Sequence, residues 1–169
     1  MNAPIERTPK ALLLENDKVA REALAAALRT RGFDVVTARD GETGTARLLD
    51  LLLDLDLLVS AVDLPGRDGA SLLRLVRISG GERELPVVIT GRGLRSSDRA
   101  RLLVLGADAV VDLRDGTETA ARSAAAAAAP SHDSSRRPAP LDPWLPVPLP
   151  APAFHPAPRG PELALAGLA

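Results

Sequence analysis

The chain has 169 residues, with 21 Lys+Arg against 22 Asp+Glu and a net charge of −1. That balance argues against nucleic acid or an acidic lipid surface as the main partner. There is no cysteine, which excludes disulfides, zinc–thiolate sites and thiol catalysis. Both histidines, His132 and His155, lie beyond residue 129, so a Ser-His-Asp arrangement in the preceding part is excluded. The opening MNAPIERTPK lacks the apolar run of a signal peptide. No apolar stretch approaches the ~18 residues of a membrane span. These features predict a cytoplasmic chain that contacts neither membrane nor nucleic acid.

Proline marks the organisation. Residues 1–129 hold four of the 15 prolines and residues 130–169 hold eleven. Such a segment cannot sustain helix or central strand. The sequence therefore divides into an N-terminal extension (1–9), a folded domain (10–129) and a disordered or polyproline-like tail (130–169). The tail run Arg137-Pro-Ala-Pro140-Leu-Asp-Pro143, beside Trp144, fits a polyproline ligand pattern that also arises by chance in Pro/Ala-rich sequence.

Within the domain, short apolar runs alternate with stretches of helical spacing. Ala11–Leu14 reads as a strand. Asp17–Arg31 follows as a helix, with Val19, Ala23, Leu24, Ala27 and Leu28 on one stripe and Gly32 as its stop. Phe33–Thr37 is a second strand, and Glu42–Leu53 a helix weakened by Gly44 and two threonines. Leu57–Ala61, Ala70–Ile78, Pro86–Thr90 and Ser97–Leu105 continue the alternation, the last opened by Ser96 or Ser97 and closed by Gly106. Ala109–Val111 and the alanine-rich Thr117–Ala129 complete it. Strands that are nearly continuous apolar runs, alternating with helices, predict a parallel sheet covered on both faces. Sites in such sheets form beyond the carboxyl ends of the strands, which directs attention to Glu15–Asp17, Ala61–Asp68, Thr90, Gly91 and Leu113.

Five segments in this order, KALLLENDKVAREAL, RGFDVVTARDGETG, DLLVSAVDLPGRDGASLLRLVR, LPVVITGRG and DRARLLVLGADAVV, resemble the receiver domain of bacterial two-component response regulators. The resemblance spans residues 10 to about 129 and none of the tail. It implies a flavodoxin-like (βα)5 three-layer sandwich with parallel sheet order 2-1-3-4-5. It also implies a pocket that takes a phosphoryl group onto an aspartate. In that chemistry clustered carboxylates hold Mg²⁺, which prefers octahedral oxygen ligands. The metal and a lysine offset charge on the transferring group.

The family pattern, carried over position by position, lands on residues that cannot perform this step. The acidic pair after strand 1 falls on Glu15 and Asn16, with Asp17 one residue further along. The acceptor precedes the loop proline by four, and four before Pro65 is Ala61, whose methyl cannot accept phosphate. The strand 4 hydroxyl is retained as Thr90. The lysine position falls on Leu113, and the proline after it is Arg114. Where the family carries about three carboxylates and a lysine, these positions carry Glu15 alone, too little for Mg²⁺. The sequence thus predicts a degenerate receiver without metal or other cofactor and without enzymatic activity.

Asp63 is the candidate substitute acceptor, set against a plain reading as a solvated loop carboxylate. Ser60 alternates to the opposite strand face. Glu15 and Asp17 also suit simple capping of the first helix. A third reading has a small ligand at the strand ends, held by Glu15, Asn16 and Thr90. Val104, Val110 and Leu113 are expected on a partner face made by helix 4, strand 5 and helix 5, facing a sensor kinase, another signalling protein or a second copy of the chain. Drift in an Ala/Leu/Arg-rich sequence would also explain them.

Overall fold

The computed structural model describes residues 7–79 and 85–129. The tail and its polyproline motif lie outside the described residues. In chain order the elements are β1 (Lys10–Leu14), α1 (Lys18–Thr30), β2 (Asp34–Ala38), α2 (Gly41–Leu51), β3 (Leu57–Ala61) and α3 (Gly69–Ser79). There follow β4 (Val87–Gly91), α4 (Ser96–Val104), β5 (Ala109–Asp112), a 3-10 turn (Leu113–Asp115) and α5 (Thr117–Ala128). All strands pair in parallel in the order β2-β1-β3-β4-β5. This is the doubly covered α/β sheet expected from the alternation.

Alternation along each strand divides the core into two layers. Ala11 and Leu13 of β1, Leu57 and Val59 of β3 and Val88 of β4 pack against α1 and α5. Leu12, Leu14, Leu58, Val87 and Ile89 point the other way, toward α2, α3 and α4. Every residue of β3 and β4 is buried. These strands need apolar residues at successive positions, which explains LLVSA and VVITG. The alanines of α5 now have a function in packing. Ala120, Ala121 and Ala124 are buried against α1, where small side chains let two helices approach closely. Arg31 of α1 and Glu118 of α5 close this seam with an ion pair.

Helix ends follow local chemistry. The Asp17 and Asp40 carboxylates accept the N–H groups of Ala20 (2.8 Å) and Thr43 (2.7 Å), capping α1 and α2. Gly32 and Gly106 stop α1 and α4 with φ of 85° and 101°, as anticipated. The serine cap expected for α4 is not formed. Arg95 is the cap residue and offers no side-chain bond, and Ser96 already lies within the helix. At the opposite end of the sheet, Arg77 of α3 donates to the carbonyls of Leu85 (2.8 Å) and Gly106 (2.9 Å) and pairs with Asp108 (3.0 Å). Asp108 also accepts the Val87 N–H at 2.8 Å, so one guanidinium ties α3 to the entries of β4 and β5.

The loop from β3 to α3 is held against α2. The Gly41 N–H donates to Pro65 O at 2.9 Å, and a Cβ at Gly41 would lie 2.0 Å from the carbonyl oxygen of Arg67. Because the obstacle is backbone, it cannot swing aside. Gly41→Ala is expected to lower unfolding free energy by about 1–3 kcal/mol, the usual cost of overpacking, as read from urea denaturation. An unchanged midpoint would contradict this packing.

Candidate functional site

The parallel register brings four family positions to one edge of the sheet. Leu14 pairs with Ser60, which sets Glu15 beside the end of β3. Ala61 pairs with Thr90, and Thr90 with Val111, two residues before Leu113. By strand alternation Glu15, Ala61 and Thr90 continue the face that packs on α1 and α5. Ser60 faces the other way. It is buried, and it stands 3.2 Å from where a Cβ of Gly69 would be.

Glu15 is 4% exposed. Its carboxylate accepts the N–H of Asp17 at 3.0 Å. Burial raises its pKa above the usual 4.5, opposed by the Asp17 N–H; the Asp17 charge raises it further and the Arg92 guanidinium lowers it. Asn16 and Asp17 are exposed. Asp17 serves α1 as its cap, the plainer of the two roles weighed for it. Arg21 donates to the carbonyls of Glu15 (2.7 Å) and Asn16 (3.2 Å) and pins the turn between β1 and α1.

Ala61 is 5% exposed at the end of β3. Its surroundings are tightly fitted: Val62 N–H donates to Thr90 O at 2.7 Å, and Gly69 N–H to Val62 O at 3.0 Å. A Cβ at Gly69 would sit 2.3 Å from Ala61 O, so Gly69 is required by close approach and not only by the turn. Thr90 is fully buried, and its hydroxyl has no hydrogen-bond partner. A buried hydroxyl left unpaired is unfavourable by roughly 1–3 kcal/mol. Thr90 stands in register with Ala61 of β3. Asp63 is exposed in the loop after β3. Asp68 accepts the Ser71 N–H at 2.7 Å and caps the start of α3.

The expected partner face requires correction. Val110 and Leu113 are each only 7% exposed, whereas Val104 is 58% exposed. Val110 belongs to the layer under α4, and Leu113 to the layer under α1 and α5. Burial in the two core layers removes both from any surface. Leu103, 44% exposed, accompanies Val104 on the outside of α4. Sequence reasoning missed Asp112. Its carboxylate accepts the N–H groups of Arg114 (2.9 Å) and Gly93 (3.1 Å), joining the loops after β5 and β4. The Arg114 N–H, then the Gly93 N–H, hold its pKa below the usual range. The signal was an Asp immediately preceding a non-regular turn.

The family model described as response regulator receiver domain matches residues 11–112. Among curated relatives, the transcriptional regulatory protein DltR of Streptococcus agalactiae is 37% identical over 97 residues, covering 57% of this chain and 42% of that one. The transcriptional regulatory protein CpxR of Escherichia coli is 38% identical over 101 residues, covering 59% and 40%. The matched region thus spans less than half the length of these relatives. A response regulator receiver domain protein from Clostridium thermocellum superposes with a TM-score of 0.63 at 16% identity, over 71% of this chain and 94% of that one. A response regulator structure from Chloroflexus aurantiacus gives 0.61 at 24% identity, over 71% and 99%.

The raised Glu15 pKa has a definite sign. A folded-state value above the unfolded one means that the folded domain binds the proton more tightly. Stability is therefore gained as pH falls through the raised value toward 4.5, and lost as pH rises through it. Glu15→Gln keeps an acceptor for the Asp17 N–H and removes the buried charge. The variant is expected to unfold at higher urea than the parent at pH 7, with the difference narrowing on acidification. A variant less stable than the parent at pH 7 would contradict the assignment.

Proposed function

The chain belongs to the response regulator receiver domain family, and we propose that it is a pseudo-receiver, a signalling module that acts by protein contact without taking a phosphoryl group. The observation that carries this reading is Ala61. It stands at the end of β3, in register with Thr90, where the family pattern requires a carboxylate nucleophile. No movement of the loop converts a methyl into an acceptor.

The surrounding residues support the same reading. The lysine position is Leu113, buried among the alanines of α5. The Thr90 hydroxyl has no partner where it would sense phosphoryl oxygens. Mg²⁺, which the family implies, does not suit these residues. Among the described residues no three His, Cys, Asp or Glu side chains gather in a metal-holding group. The one buried carboxylate, Glu15, is disfavoured as an anion by burial. A hard dication requires several oxygen donors and opposed charge, and this donor set supplies too little of both.

The exposed pair Leu103 and Val104 on α4 is the surface we assign to contact with a sensor kinase, another regulator or a second copy of the chain, in the cytoplasm. Among the described residues no helix is long and apolar enough to cross a membrane.

The test is intact-mass measurement after incubation with Mg²⁺ and acetyl phosphate, with a phosphorylation-competent receiver labelled alongside. The pseudo-receiver gains no phosphoryl mass. A gain that Asp63→Ala abolishes would overturn the proposal and make Asp63 the acceptor.

A further inference from the structure

A second cavity lies on the other side of the β3 end, between α3 and α4. Its volume is about 550 Å³, within the range of small-molecule sites. Val62, Leu94, Leu102 and Leu105 give it apolar walls. Arg74 of α3, Arg92 and Arg95 of the loop after β4, and Arg101 of α4 supply guanidinium groups. The acceptor-position residues Ala61 and Thr90 are not part of its lining.

Arg92, Arg95 and Arg101 are exposed, and Arg74 is the arginine that stands apart. Arg7, Arg31 and Arg77 each hold a carboxylate at the protein surface or between elements. Among the described residues, none of the side chains of Arg74, Arg92, Arg95 and Arg101 makes a hydrogen bond or ion pair. Arg74 goes further, since its Nε is buried and unpartnered. A buried donor on a charged group that bonds to nothing is strongly unfavourable, and native structures rarely keep one without a reason. Asp63, Asp68 and Asp98 also line the cavity, and Asp68 is engaged in capping α3. Four guanidiniums against three carboxylates leave a small positive excess. That excess suits a ligand with one or two negative charges and disfavours a polyanion.

We propose that this cavity is a binding site for a small organic anion, in which a phosphate or carboxylate head meets Arg74 and Arg101 and an apolar body lies against Leu94, Leu102 and Leu105. Guanidinium forks match both head groups in bidentate geometry. The site also bears on α4. Leu102 is the only residue of that helix that is buried. Arg99 of α4 also donates to Val110 O at 3.0 Å. A ligand bridging α3 and α4 adds a further attachment for the element that carries Leu103 and Val104. The residues assigned to the ligand, Arg74, Arg101, Leu94, Leu102 and Leu105, are not those of the acceptor position, although Asp63 lines the same cavity.

The experiment is calorimetric titration of the full chain with phenyl phosphate, with phenol and inorganic phosphate as separate titrants. Phenyl phosphate is expected to bind, inorganic phosphate more weakly, and phenol not measurably. Arg74→Met keeps the apolar stem and removes the charge. Arg101→Gln alters an exposed residue, so folding is preserved. Each is expected to weaken phenyl phosphate about tenfold or more, the scale of one charged hydrogen bond. Urea midpoints near the parent's establish that the variants are folded. Absence of binding, or binding that both variants leave unchanged, overturns the site. A loss that follows Thr90→Val and not the arginine variants places the anion in the strand-end pocket and overturns it equally.

Discussion

The strand-end pocket depends on one constraint, the burial of β3 and β4 on both faces. Each strand has a helical layer above and below, and every residue from Leu57 to Ala61 and from Val87 to Gly91 is buried. A one-residue slip would exchange the two core layers, moving Val59 from under α1 and α5 to under α3. The register is therefore fixed, and with it the neighbours of Ala61. The Val62 N–H to Thr90 O bond (2.7 Å) and the Gly69 N–H to Val62 O bond (3.0 Å) extend that order into the loop. The receiver frame is intact, and the residue it presents at the end of β3 is Ala61. On the proposed reading, chemistry is lost without loss of fold because of a division of labour. The apolar residues that build the sheet are separate from the polar residues at its rim.

Much of this was legible in the sequence because two-sided burial leaves a strong imprint. LLVSA and VVITG are apolar at successive positions, and their observed bounds differ from the expected ones by at most a residue. Pro65 and Gly106 supply the reference points from which the sequence assigns Ala61 and Leu113 to family positions, and the structure puts Ala61 at the end of β3 and Leu113 just after β5. The outward or inward sense of β5 was not legible. Its four residues, Ala109–Asp112, are too few to show which face each side chain takes, and the short turn after it carries Leu113 back into the core, so neither Val110 nor Leu113 reaches the surface expected for it. Arg77 was equally hidden. Nothing local in LLRLVRIS marks one arginine as the tie to Leu85, Gly106 and Asp108, since its partners lie 8, 29 and 31 residues away. The unpartnered Arg74 Nε, three positions before it, was hidden for the same reason.

The two polar regions at the carboxyl edge differ in character. The strand-end site gathers a buried carboxylate, a methyl group and an orphan hydroxyl. The α3–α4 cavity has apolar walls and four guanidinium groups. On the proposed reading, the first lacks the groups that would make it respond to phosphate. The second holds one buried donor without a partner, Arg74 Nε. Both border the loop after β4, which Asp112 fastens to the end of β5 through the Gly93 N–H. On the proposed reading a signal is carried by binding and not by covalent change, and α4, held by buried Leu102 and by the Arg99 bond to Val110 O (3.0 Å), is the element proposed to respond.

The central claim is that the acceptor pocket is chemically silent. Amide NMR spectra of the full chain, recorded before and after addition of Mg²⁺ and then acetyl phosphate, test it most directly. The account predicts that the resonances of Glu15, Ala61, Val62 and Thr90 keep their positions through both additions. Saturable shifts at these residues with Mg²⁺, or a second set of peaks after the phosphodonor, would contradict it.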